Sequence, residues 1–166
     1  MATDVEILHG DPDVVGAPFV MRIRELPGTR VPPHSHPTDE HITVVRGTWY
    51  FALGTEWNRE ALQEIKAGGY AFAPKGSWMY AWSPDGAIVQ VHGVGPFHVH
   101  WRHGSHRLDD ADAKSVFRFA RGTRVAFGNR TGVIAEGYAS GKIIQYEVDP
   151  EGGERRMVDE DELKAE

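Results

Sequence analysis

Between residues 19 and 101, short apolar or alternating stretches recur about every ten positions, each closed by glycine or proline. That spacing predicts strands of a β-sandwich or barrel over 19–25, 40–46, 48–53, 69–73, 78–82, 87–93 and 97–101. Turn signals separate them at Pro27-Gly28, Arg46-Gly47, Gly54-Thr55, Gly68-Gly69, Pro84-Asp85-Gly86 and Gly95-Pro96. Residues 60–66 read as a helix or as an extended polar stretch. A polar break, GSHRLDDADAKS, then covers 104–115 with almost no apolar anchor. Four further strands are predicted beyond it, at 124–127, 132–138, 143–149 and 155–158. The chain therefore reads as all-β, with a domain over residues 5–103, a linker over 104–115 and a small barrel over 116–166.

Composition narrows the function classes. The 166 residues are 40% hydrophobic and 25% charged, as in a globular protein. Cysteine is absent, which excludes disulfides, thiolate ligands and cysteine nucleophiles. No apolar run reaches the length of a membrane span, and MATDVEILHGD lacks the basic and apolar regions of a signal peptide, so a soluble cytoplasmic protein is expected. Residues 147–166 hold nine Asp and Glu against three Lys and Arg, which accounts for the whole net charge of −6. Nucleic acid is not an expected partner.

The chemistry concentrates in residues 28–47, GTRVPPHSHPTDEHITVVRG. Side chains two apart on a strand share a face, so His34 and His36 can present two imidazoles to one point. If the chain turns at Pro37-Thr38 and returns as a strand from Glu40, that carboxylate completes a set of two nitrogens and one oxygen. Such a set suits one divalent transition metal, Fe, Mn, Ni, Cu or Zn. His41 alternates to the opposite face.

The segment resembles the first motif of the cupin superfamily, with Gly28, His34, His36, Glu40 and Gly47 at every fixed position. The resemblance implies a double-stranded β-helix, or jelly roll, with His34, His36 and Glu40 as metal ligands. The second cupin motif is met at Gly68, Pro74 and Gly76, but Met79 stands where the family has its fourth-ligand histidine, and Ser83 stands at the Asn position. A thioether is a soft ligand that suits Cu(I). Without it, two histidines and a carboxylate match the ligand set of non-haem Fe(II) oxygenases. Gln90 and His92 share a face of one predicted strand, which can point to solvent or to a site inside. His92 is a candidate fourth ligand or general base, or else a structural histidine, and His92 and Gln90 are the candidate catalytic residues, behind the ligands or at the substrate. His98, His100, His103 and His106 read as an exposed histidine patch with no carboxylate at ligand spacing. Arg22, Arg24 and Arg46 are candidate anchors for an anionic substrate.

Residues 123–163 resemble the small SH3-like barrels of the Tudor and KOW type, which implies a module that binds peptide or nucleic acid, with Phe127, Tyr138 and Tyr146 as a candidate recognition surface. The acidic charge argues against nucleic acid, and a docking or dimer-stabilising role is expected. Together these readings predict a metal-dependent cupin that acts on a small organic molecule, with dioxygenase-type oxidation foremost. Isomerase or lyase chemistry and non-catalytic ligand binding are the alternatives. A homodimer formed through sheet edges is expected.

Overall fold

A computed structural model of the chain describes residues 4–102, 104–108 and 116–166. The chain divides into two compact units, Met1–Arg102 and His103–Glu166.

The first unit contains β1 (Asp4–His9), β2 (Pro18–Glu25), β3 (Thr29–Ser35), β4 (Glu40–Leu53), β5 (Gln63–Lys66), β6 (Tyr70–Ala73), β7 (Met79–Ser83), β8 (Ala87–Val94) and β9 (His100–Trp101). They make one nine-stranded curled sheet. β4 joins its two halves. Residues Glu40 to Gly47 of β4 pair with β8, and Glu40 to Thr43 also pair with β6, whereas Thr48 to Phe51 pair with β5 and Tyr50 to Leu53 with β7. One half therefore runs β1-β2-β8-β4-β6 and the other β5-β4-β7-β3-β9, all antiparallel. The strands predicted at 40–46 and 48–53 are thus a single strand, passing from one half to the other at Gly47. That residue has φ +82°, and a Cβ there would lie 2.6 Å from the Gly86 carbonyl oxygen, so only glycine fits.

Alternation decides which side chains face inward. Phe19 and Met21 of β2, Ile42 and Val44 of β4, and Val89 and Val91 of β8 are buried and pack in one cluster. Each such side chain contributes roughly 1.5–3 kcal/mol through removal from water. The stretch 60–66 is a single 3-10 turn at Arg59–Ala61 followed by β5, so its polar character reflects an exposed edge strand. β1 and β3 extend the predicted set. β3 contains Pro32-Pro33, which cannot donate to the ladder, and the register with β7 shifts there between Val31 and His34.

The second unit contains β10 (Ser105–Arg107), β11 (Arg124–Phe127), β12 (Arg130–Ser140), β13 (Ile143–Pro150), β14 (Arg156–Asp159) and β15 (Lys164–Ala165). Its sheet runs β14-β13-β12-β11-β15, with β10 also on β12. Residues 105–107, read from sequence as part of a linker, thus form a strand, opposite Ser140, Ala139 and Tyr138. Val125, Ile134, Tyr146, Val148 and Leu163 build its core. Phe127 and Tyr146 are buried there, so they do not form the recognition surface suggested by the sequence. The Tyr146 hydroxyl donates to Glu160 Oε2 at 2.6 Å and accepts from the Phe119 amide at 3.2 Å.

Candidate functional site

β3 and the start of β4 bring the sequence-predicted donors into the interior. His34, His36 and Glu40 are all buried, at 6%, 4% and 4% exposure. His34 lies directly opposite Met79 on β7, so the two side chains share the inner face. Met79 is itself buried, in the apolar cluster. The turn that follows His36 is pinned by the second motif: the Gly76 amide donates to the His36 carbonyl at 2.8 Å, and the Lys75 amide donates to Asp39 Oδ1 at 2.8 Å. Gly76, at φ +72°, takes the left-handed conformation that this turn requires.

Backbone carbonyls set the tautomers. His34 Nδ1 lies 2.8 Å from the Pro32 carbonyl oxygen and His36 Nδ1 lies 2.8 Å from that of His98. A carbonyl only accepts, so each Nδ1 carries the hydrogen and each neutral imidazole keeps its lone pair on Nε2. The rings meet edge to face with centroids 5.0 Å apart, His36 stacks on Phe97 at 4.0 Å, and His34 leans on Trp101 at 5.1 Å. His36 Nε2 and Glu40 Oε2 stand 3.6 Å apart. Both atoms are buried and without a hydrogen-bond partner. Buried polar atoms are nearly always satisfied, so two orphans facing each other mark a place for a third party.

Burial sets the protonation states. Desolvation lowers the His34 pKa to about 4, against the smaller opposing effect of the hydrogen bond that Nδ1 donates to the Pro32 carbonyl. Desolvation, then the neighbouring His34, lowers His36 to about 4. Glu40 is raised to about 8 by desolvation and secondarily by Glu25. A divalent cation would reverse the last effect, because it favours the ionised carboxylate. Neutral imidazole nitrogens and a carboxylate oxygen fit such an ion by chemistry. Among the described residues, no three or more His, Cys, Asp or Glu side chains are gathered at ligating distances; the convergent pair is His36 and Glu40.

Gln90 and His92 are elsewhere. Glu40 pairs with Gly93 and His41 with His92, so His92 shares the outer face with His41 while Val89 and Val91 face the core. The imidazoles of His41 and His92 stack at 5.0 Å, and His41 Nδ1 lies 2.6 Å from the Tyr70 hydroxyl. Gln90 Oε1 accepts from Arg22 Nη2 at 3.3 Å on that same face. Neither residue reaches the interior donors, because the register fixes the parity of β8 against β4. Arg22 is likewise turned outward, and Arg46 is exposed. Of the histidine patch, His98 contributes its carbonyl to His36, His100 is exposed on β9, His106 is exposed on β10, and His103 lies outside the described residues.

A second interior carboxyl was not among the predicted residues. Glu25, 5% exposed, accepts from Trp49 Nε1 at 3.2 and 3.1 Å on its two oxygens and from Ser83 Oγ on Oε2. Desolvation raises its pKa to about 7, against the lowering effect of the Ser83 and Trp49 hydrogen bonds. The signal was present in the alternation of β2, where Phe19, Met21 and Ile23 place the odd positions inward and Glu25 continues the series.

The four-strand sets β2-β8-β4-β6 and β5-β4-β7-β3, wound from a chain that alternates between them, make a double-stranded β-helix. Its interior carries the first-motif His34, His36 and Glu40. This is the cupin fold. No family model and no curated protein matches the chain. Solved structures similar to it include a cupin-like protein of unknown function from Ralstonia eutropha (28% identity, covering 57% of this chain and 56% of that one, TM-score 0.46). An uncharacterised double-stranded β-helix protein from Klebsiella pneumoniae shares 21% identity over 57% of this chain and 80% of its own, with TM-score 0.44. A DMSP lyase from Ruegeria pomeroyi shares 18% over 57% and 47%, with TM-score 0.48. Among the described residues, no helix is long and apolar enough to cross a membrane.

Proposed function

We propose that the cupin unit holds one divalent transition metal, Fe, Mn, Ni, Cu or Zn, through His34 Nε2, His36 Nε2 and Glu40, and acts on a small organic molecule there, by dioxygenase-type oxidation. The observation that carries the reading is the buried, unpartnered pair of His36 Nε2 and Glu40 Oε2 at 3.6 Å. An ion between them would supply Lewis acidity and, if redox-active, activation of dioxygen. The chain's own part is to hold the imidazoles in one tautomer through the Pro32 and His98 carbonyls, and to line the site with Phe97 and Trp101. Met79, opposite His34, is a fourth donor for a soft ion and a packing residue otherwise.

The test is elemental analysis of tag-free protein from metal-supplemented cultures, wild type beside His34→Ala/His36→Ala. About one ion per chain that disappears in the double variant supports the site. No bound metal in either protein defeats the metal reading and leaves the second one, a non-catalytic ligand-binding cupin, which Met79 in place of the family's histidine favours. Isomerase or lyase chemistry at the same ion is separated from oxidation by whether dioxygen is consumed with substrate. A homodimer is part of the proposal: β1 is an edge strand whose six residues are all exposed, Val5 at 54% and Ile7 at 46% among them. Sedimentation equilibrium yielding twice the chain mass supports it, and a monomer at all concentrations rejects it.

A further inference from the structure

The interior of the barrel has a second polar region, around Glu25 and Ser83. Along β8, Glu25 pairs with Ala87 while Glu40 pairs with Gly93. The two strand positions are thus six residues apart along β8, while the carboxyls, both turned inward, stay near enough for Glu25 to raise the Glu40 pKa. Thr29 lies directly opposite Ser83, both at 0% exposure. Cross-strand neighbours of this kind share a face with Cβ atoms about 5 Å apart. The Ser83 hydroxyl donates to Glu25 Oε2, so Thr29, Ser83 and Glu25 meet at one spot inside the sheet.

The hydrogen-bond inventory of that spot is incomplete. Thr29 Oγ1 is buried and has no partner in the protein. The Glu25 carboxyl offers about four lone-pair directions. It receives one indole N–H, divided between its oxygens at 3.2 and 3.1 Å, and one hydroxyl from Ser83. Leaving a buried hydroxyl and part of a carboxyl unsatisfied is costly. A group that both donates and accepts completes both, and one water with two to four polar partners is the usual solution.

We propose that Thr29, Glu25 and Ser83 enclose one structural water, which accepts from or donates to Thr29 Oγ1 and donates to the Glu25 carboxyl. This site is independent of the metal reading: it uses none of the residues assigned to the ion. It makes Glu25 the anchor of a hydrated inner floor of the barrel.

The experiment uses the full chain with Thr29→Val and Thr29→Ser, read by thermal unfolding and by oxygen-17 magnetic relaxation dispersion, which counts long-lived internal waters. Valine keeps the shape and removes the hydroxyl, so the sign of its effect is diagnostic. If the water is present, Thr29→Val lowers the Tm by about 4 °C or more and loses one long-lived water, while Thr29→Ser retains it. If Thr29 Oγ1 is simply unsatisfied, Thr29→Val raises the Tm and the water count does not change. Any result other than a lower Tm together with one fewer internal water in Thr29→Val overturns the proposal. Metal content, measured on the same samples, stays at the wild-type value in either case.

Discussion

Replacing Glu25 by Gln removes a buried titration with a defined sign. The carboxyl has a pKa of about 7 in the folded protein against an ordinary value of 4.5. Below pH 4.5 the group is protonated in both states and makes no difference. Between about 4.5 and 7 the unfolded chain releases the proton while the folded chain keeps it, so stability falls as pH rises. Above about 7 both states are ionised and the loss is complete. The gap of 2.5 units (7 − 4.5) corresponds to about 3 kcal/mol at 1.36 kcal/mol per unit. Glutamine preserves shape and accepts from Trp49 and Ser83 without a charge to desolvate. The variant is therefore expected to gain on wild type across that window and to stay ahead above it. The assay is urea unfolding from pH 4 to 8 in chelator, followed by tryptophan fluorescence; Trp49, Trp57, Trp78, Trp82 and Trp101 all belong to the first unit. Histidine titrations are common to both proteins and largely cancel in the difference, whereas Glu40, whose pKa Glu25 helps to raise, becomes easier to ionise in the variant and adds to the gain in the same direction. A difference constant within about 0.5 kcal/mol over the whole range would refute the reasoning, since that is the scatter expected of independent sites.

Three further outcomes follow from the same geometry. Met79→His puts an imidazole on the inner face beside His34, and equilibrium dialysis should show tighter metal binding in a protein that already binds at His36 and Glu40. Gly47→Ala forces a Cβ to within 2.6 Å of the Gly86 carbonyl oxygen at φ +82°, and should cost more than the roughly 1 kcal/mol of a sterically free glycine, read as a lower urea midpoint. Tyr146→Phe removes the donor to Glu160 and the acceptor of the Phe119 amide in the second core, and should cost about 1–3 kcal/mol, visible as a lower midpoint by near-ultraviolet circular dichroism.

The turn signals and alternation placed most strands of both units because glycines and prolines punctuate this chain. What escaped has physical causes. Pro32-Pro33 hid β3, since proline argues against a strand, yet the register shift between Val31 and His34 absorbs both residues. β4 was divided at Gly47 because a glycine at φ +82° reads as a turn, although here it carries one strand between two half-sheets. The motif placed His34, His36 and Glu40 in the interior because its spacing encodes a strand, a turn and a returning strand. The sequence leaves open whether the face shared by Gln90 and His92 points to solvent or to the site, because alternation gives two faces and not their identity. The pairing of Glu40 with Gly93 settles that parity, and it is a long-range fact. Glu25 required the opposite discipline, following an apolar alternation one step further to a charged residue. β10 escaped because three polar residues, Ser105, His106 and Arg107, carry no pattern apart from their neighbour β12.

The central claim is that one metal ion is held inside the barrel by two imidazoles and a carboxylate, and X-ray absorption on metal-loaded protein tests it directly. The account predicts nitrogen and oxygen scatterers at about 2.0–2.2 Å, as for His and carboxylate ligands, with the outer-shell pattern of two imidazoles that falls to one in His36→Ala. A spectrum without imidazole scattering, or one unchanged by His36→Ala, would contradict it.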